Sequence, residues 1–419
     1  MARTLIGGGS VVSATGVTPI DVLIDGETIS ALCSPVRPPR SASPPTASST
    51  RRESTSCPAV STPTPTWSCR SAVRSASDTF ETGTRRGVRR TRPPSSTSPC
   101  SATGENVIDS LSTWHGKADG NCAIDYGFHQ IIGGVDSESL KAMEYLVDNE
   151  GITSFKLFMA YPGVFYSDDG QILQAMQVSA RTGSLTMMHA ENGPAIDVLV
   201  AQALQRGETA PYFHSLTRPV EMEAEATHRA IMLAKVAKAP LYVVHMSAKE
   251  AVETVSRARD MGANVFGETC PQYLYFSLEE HLMKPGFEGA AYVCSTPIRS
   301  RAEGHQEALW RYLRTNDLSV VATDHCPFCM KDQKDLGVGD FSKIPNGIGG
   351  VEHRMDTIYQ GVVSGEIGLP RWVELCATTP ARMFGLYPQK GVLLPAATPM
   401  SSCTTRTRKR RSASTTPIT

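Results

Sequence analysis

Apolar and polar positions alternate in two distinct rhythms along this chain, and between the rhythms lie stretches with neither. The opening segment reads as short strands: LIGGGSVVS is followed by a turn and then by PIDVLIDGETISAL, where Asp25 and Gly26 form a hairpin signal between β-branched runs. A small sheet is expected there. From about residue 121 short apolar runs alternate with longer amphipathic ones. SESLKAMEYLVDNEG predicts a helix, because Leu140, Met143, Leu146 and Val147 share one face, Asp136 or Ser137 stands at the cap and Gly151 closes the last turn. Strand TSFKLFMAY follows, then helix QILQAMQVSARTG, strand SLTMMH, helix EMEAEATHRAIMLAKVAK, strand LYVVHMS, helix KEAVETVSRARDMG and strand NVFGE. Later come helix HQEALWRYLRTND and strand LSVVATDH. Strands separated by helices require parallel crossovers, and nearly continuous apolar strands imply a sheet covered on both faces. Five or more such units favour an α/β fold of the TIM-like (β/α)8 kind over a doubly wound sheet.

After Cys33 this order collapses into SPVRPPRSASPPTASSTRRESTS, and the last stretch of the chain, ending TRTRKRRSASTTPIT, has the same character. Proline removes backbone donors, and apolar side chains are too sparse there to bury. Composition alone leaves three readings open: a linker, a disordered region, or a GC-rich gene read out of frame.

The 41 Lys+Arg balance 41 Asp+Glu, so no global basic field points to nucleic acid or an anionic membrane. The basic runs RRGVRRTR and TRTRKRR fall within the irregular stretches and are assigned no target. No apolar run is long enough to span a bilayer and MARTLIGGGS lacks the form of a leader, so a cytoplasmic location is expected. The 11 cysteines are odd in number and scattered, which reads as thiols rather than a disulfide framework; Cys326 and Cys329 in CPFC are read as structural thiols, a redox pair being the alternative. No glycine-rich dinucleotide loop sits at a strand end, which argues against a Rossmann enzyme.

In a barrel the carboxyl ends of the strands face the active site. His189 ends TMMH, His245 ends LYVVH, Asp324 ends SVVATD, and Lys156 interrupts TSFKLFMAY. A lone strand-end histidine is more often a packed, hydrogen-bonded one, and Asp324 beside His325 has a loop-capping reading. Four ionisable groups in otherwise apolar strands are harder to dismiss, since isolated buried charges are costly. Imidazole and carboxylate are natural ligands of Zn²⁺, and manganese or cobalt takes similar sites. Lys156 either keeps clear of such an ion, pairs with a carboxylate, or is carbamylated by carbon dioxide into an anion with two oxygens. A two-metal site of that kind points to hydrolysis of an amide-like carbonyl.

SFKLFMAYPG, MHAENG, YVVHMSAKEA, GETCPQYL, CSTPIR, ATDHCPF, NGIGGVEHRM and TTPARMFGLYPQKG together resemble the dihydropyrimidinases and D-hydantoinases of the cyclic-amide amidohydrolases. The resemblance runs from about residue 104 to 395, with a weaker start at 4–32 and an island, SDTFETGTR, at 77–85. It implies a metal-dependent TIM-like barrel at 104–385 and a small β-sandwich built from both chain ends, 1–32 and 386–419, with 33–103 as a disrupted first barrel segment. It also implies a homotetramer, a small cyclic-amide substrate, and up to two zinc ions. Carbamylated Lys156 would bridge them, His189 and His245 would hold the more buried ion, and Asp324 would serve the other as ligand and as general base. Tyr161 would stabilise the oxyanion, while Ser295 and Asn346 would hold the cyclic imide edge.

The family places an HxH pair at the end of the first barrel strand, yet this chain has no histidine before His115. An interrupted strand followed by the return of a family motif is more simply explained by a reading-frame change than by an evolved insertion, which would leave open strand edges. Segments 33–77, 86–103 and 396–419 are the ones so marked. One or both ions are therefore expected to be missing, and activity to be weak or absent. Two other enzyme readings are allantoin and dihydroorotate hydrolysis, the second disfavoured by the lack of an arginine near NGIGG to bind a substrate carboxylate. A non-catalytic scaffold is the reading from a different class.

Overall fold

The structure is a computed structural model and describes residues 3–35, 54–58, 70–71, 74–90, 95–97, 105–398 and 401–405. Most of 33–77, 86–103 and 396–419 lies outside those residues, together with the basic run at 406–411. Six parallel strands stand side by side in chain order: Gln130–Ile131, Ser154–Phe158, Leu185–His189, Leu241–Val243, Val265–Thr269 and Val320–Val321. Lys156 sits opposite Met187, Met187 opposite Tyr242, and Tyr242 opposite Phe266, so one row of side chains crosses four strands. Every residue of the lysine strand and of the Leu185–His189 strand is buried, as expected for a parallel sheet covered on both faces.

The covering helices begin and end where local chemistry demands. Helix Ser137–Glu150 starts on Asp136, whose carboxylate accepts from the N–H groups of Glu138 and Ser139, and it ends on Gly151 in the left-handed region at φ 67°. Helix Asp169–Thr182 repeats the scheme with a reciprocal Asp168–Gln171 cap. Helices Val220–Ala237, Lys249–Asp260 and His305–Thr315 follow the expected segments closely. The chain is thus α/β with a parallel sheet.

Both chain ends contribute to the β structure outside that sheet. Strands Arg3–Ile6, Asp21–Asp25 and Thr28–Cys33 form an antiparallel sheet, with Gly26 at φ 60° in the expected hairpin. Ser10–Ser13 and Gly16–Pro19 join Ser54–Pro58 and Ser401–Thr405 in a second sheet. Val11, Val22 and Ile29 pack against Leu393 and Ala397, and Ile29 exchanges two backbone hydrogen bonds with Ala396 and Ala397.

The SDTFETGTR island is built into the α/β body. Phe80 is buried and meets Trp114, Tyr126 and Phe128 edge to face, while the Ser77 N–H donates to the Pro327 carbonyl over 2.8 Å. Asp78 Oδ2 lies 3.0 Å from His325 Nε2 with both side chains buried. The N–H groups of Gly350 and Val351 donate to His325 Nδ1, so that nitrogen is bare and Nε2 carries the proton given to Asp78. One neutral imidazole therefore ties the island to the Asp324 strand end and the NGIGG loop.

Burial has a consequence for acid stability. Burial, aided by the Lys156 charge, pulls His129 down to about 3, and burial likewise holds His214 and His245 well below the usual histidine range. In the unfolded chain these rings take up protons near pH 6.5. A depressed folded-state pKa means the unfolded state binds more protons below that point, so stability should fall from about pH 6.5 downward, by up to ~1.4 kcal/mol per pH unit for each such histidine. Denaturant midpoints measured from pH 7.5 to 4.5 on the wild type and His129→Gln check this: Glu268, raised to about 8 by burial, acts in the opposite direction in both chains, so the difference between them carries the histidine contribution, and equal slopes would exclude neutral burial of His129.

Candidate active site

The carboxyl ends of the parallel strands open into a cavity of about 410 Å³. Lys156, His189, His245 and Asp324 reach it from or just beyond four different strands. Tyr161, Ser295 and Asn346 also line it, so all seven residues singled out in the sequence share one cavity. Phe158 and Phe165, stacked with ring centroids 5.1 Å apart, form part of its apolar wall.

His189 and His245 face each other directly. His189 Nδ1 lies 3.0 Å from His245 Nε2, and His189 Nε2 lies 2.8 Å from Glu191 Oε2. His245 Nδ1 is buried without a hydrogen-bond partner among the described residues. Three of the seven residues hold left-handed backbone: Tyr161 at φ 64°, His245 at 42° and Asp324 at 44°. Such conformations are costly for residues other than glycine and persist where the surroundings enforce them. For His245 the enforcement is visible, since Glu268 Oε1 accepts its N–H over 3.2 Å and Thr296 Oγ1 donates to its carbonyl over 2.8 Å.

The electrostatics follow from depth. Burial pushes the Lys156 amine below its usual range, against the pull of Asp324 and Glu268, and no described residue closes an ion pair on it; its Nζ lies 4.9 Å from the Phe158 ring centroid. Burial raises Asp324, opposed by Lys156, His189 and His325. Burial raises Glu268 to about 8, although Tyr242 donates to its Oε2 over 2.5 Å. Burial also raises the Tyr161 phenol, with Glu191 adding to it and Arg218 opposing, so the hydroxyl stays a proton donor; Ser295 and Asn346 are the polar side chains set against it.

Among the described residues no group of three or more His, Cys, Asp or Glu is arranged to hold a metal ion. The donor set nonetheless suits one ion: two imidazoles with nitrogens converging, one orphaned buried nitrogen, and a lysine whose amine lacks a counter-ion at contact distance. The chain has no histidine before His115 to add to that set.

Several participants escaped the sequence reading. Arg218 and Asp197 line the cavity, so an arginine does reach the site, from a loop far from NGIGG. Arg218 is already engaged, 3.9 Å from Glu191 and within hydrogen-bond distance of His214. Glu223 and Arg299 pair at 2.7 Å beneath the site, and Glu223 also caps the start of helix Lys249–Asp260 through the N–H groups of Ser247 and Ala248. Cys326 lines the cavity and Cys329 is exposed; neither is in a disulfide.

No protein-family model matches the chain. Individual relatives do. A D-hydantoinase of Streptomyces coelicolor is 62% identical over 322 residues, 77% of this chain and 68% of that protein. The chain belongs to the dihydropyrimidinase and D-hydantoinase family. A Geobacillus stearothermophilus D-hydantoinase is 46% identical over 291 residues, 69% of this chain but only 61% of its own length, so the match to such relatives stops short of two thirds of them. Among solved structures, a dihydropyrimidinase from Brevibacillus agri superposes with a TM-score of 0.89 at 38% identity, covering 95% of this chain and 85% of that one. A D-hydantoinase from a Thermus species gives 0.87 at 29%, covering 94% and 84%. The hydantoinase lineage supports cyclic-amide hydrolysis, and the allantoinase-like, dihydroorotase-like and scaffold readings gain nothing from the matches. No described helix is long and apolar enough to cross a membrane.

Proposed function

We propose that the site is built to open a cyclic diamide, a hydantoin or a 5,6-dihydropyrimidine, to an N-carbamoyl amino acid, and that this chain performs the reaction weakly or not at all. The observation that carries the reading is the convergence of Lys156, His189, His245, Asp324, Tyr161, Ser295 and Asn346 on one cavity. Lys156, His189 and His245 would hold one divalent ion, zinc by ligand type, with Lys156 carbamylated; its depressed amine favours the neutral form that attacks carbon dioxide. When bound, such an ion lowers the pKa of water toward neutrality.

The protein's own groups do the rest. Asp324 takes a proton from the attacking water as the O–C bond forms, and returns it to the ring nitrogen as the C–N bond breaks. The Tyr161 hydroxyl donates a hydrogen bond to the carbonyl oxygen as it gains charge. Ser295 and Asn346 bind the imide edge and orient the ring. The stacked Phe158 and Phe165 rings give the cavity an apolar wall. The six parallel strands fit as staves of a (β/α)8 barrel, the terminal sheets as its small β-sandwich domain, and the assembly as a tetramer, by family likeness.

Product analysis by mass spectrometry with 5-substituted hydantoins and dihydrouracil tests the reaction class, run at enzyme concentrations high enough to register slow turnover. In the chain with its first barrel segment restored, Tyr161→Phe should lower kcat by about 10²–10³ with little change in KM, the size seen when one oxyanion donor is removed. An unchanged kcat would remove Tyr161 from the chemistry.

A further inference from the structure

We propose that Glu191 is a positioning residue that aims His189 into the cavity, and that Arg218 and His214 hold Glu191 in turn. Glu191 is only 1% exposed, too deep for a carboxylate without a task. One of its oxygens accepts from His189 Nε2 at 2.8 Å. The other has no hydrogen-bond partner among the described residues and looks toward Arg218 Nε at 3.9 Å. Arg218 Nη1 donates to His214 Nδ1 over 3.1 Å, and His214 Nε2 meets the Cys294 carbonyl at 2.9 Å.

The proton positions in this chain of contacts are determined by what each partner is able to do. A carbonyl only accepts, so His214 Nε2 carries hydrogen and its Nδ1 is left to accept from arginine. A carboxylate only accepts, so His189 Nε2 carries hydrogen as well. The other ring nitrogen, Nδ1, is therefore the one turned to His245 Nε2, 3.0 Å away. Phe158 lies against the His189 ring, with centroids 5.3 Å apart and planes 28° apart, which resists rotation of the imidazole. Packing limits the orientation of the ring, while Glu191 selects which nitrogen bears the proton. An outer carboxylate that orients a ligating histidine is typically worth about 10–100-fold in metal affinity. That consequence rests on the metal reading above; the protonation of His189 does not.

The test uses the full chain with ¹⁵N-labelled histidine, free of metal, with the His189 signals assigned by their loss in His189→Gln. Nε2 should be protonated in the wild type and in Glu191→Gln, whose amide oxygen still accepts. In Glu191→Leu, of similar size but with no acceptor, the proton should redistribute between the two nitrogens, in a chain whose circular dichroism is unchanged. Competition with a chelator for Zn²⁺ should then show Glu191→Leu weakened about 10–100-fold and Glu191→Gln within about threefold of wild type. A wild-type pattern of protonation in Glu191→Leu overturns the proposal. If the wild-type chain takes up no Zn²⁺, the metal reading fails, and the nitrogen signals still decide the role of Glu191.

Discussion

His245→Ala is expected to lower Zn²⁺ affinity by at least about 100-fold. Substitutions that only reorient a ligand already cost about 10–100-fold, and removing one of three donors outright costs more. His245 is held at φ 42° by Glu268 on its N–H and Thr296 on its carbonyl, so its ring position is a property of that backbone. The cavity left behind faces His189, whose other nitrogen is committed to Glu191. Chelator competition checks the prediction, with His115→Ala as the comparison, since that side chain is 41% exposed on a helix outside the cavity. Equal loss in the two variants would point to general unfolding.

Replacing residues 33–104 with the corresponding segment of the Streptomyces coelicolor relative is expected to raise kcat/KM toward hydantoins by about 10³-fold or more, some 4 kcal/mol of barrier. The size follows from what is absent. On the proposed reading Lys156, His189 and His245 would hold one ion, and activation of water beside Asp324 would call for a pair of histidines of the kind that this chain lacks before His115. His325, Trp114, Tyr126 and Phe128, which Asp78 and Phe80 meet in this chain, lie outside the replaced segment, so the surface against which the graft must dock is retained. Translating the coding DNA across residues 33–104 and 390–419 in all three frames is the complementary check; an HxH strand recovered in another frame would account for the first of the two irregular stretches.

What was legible beforehand depended on pattern length. Helix Ser137–Glu150 announced itself through a cap, an apolar face and a closing glycine, and the lysine strand through an unbroken buried run. Helix Gly193–Gln205 was passed over although Asn192 caps it and a proline stands in its first turn, because its Ala- and Val-rich sequence has no sharp polar face. Strand Val320–Val321 is only two residues long, the core of the longer apolar run LSVVATDH expected as a strand, and Asp324 follows it just beyond its end. The seven cavity residues were legible because each interrupts or follows an apolar strand or a recognisable motif. Glu191 and Arg218 were not, though Glu191 lies inside MHAENG. Their importance depends on a contact between residues far apart in sequence, Arg218 Nε to Glu191, and on His214 reaching the Cys294 carbonyl. No local spacing encodes either contact.

Metal content and hydantoin turnover, measured together on the 419-residue chain after loading with Zn²⁺ and bicarbonate, bear most directly on the reading of this protein as a hydantoinase with half a metal centre. The expected result is no more than one ion per chain, lost in His245→Ala, with turnover weak or absent. Two ions per chain with turnover typical of an intact hydantoinase would contradict it.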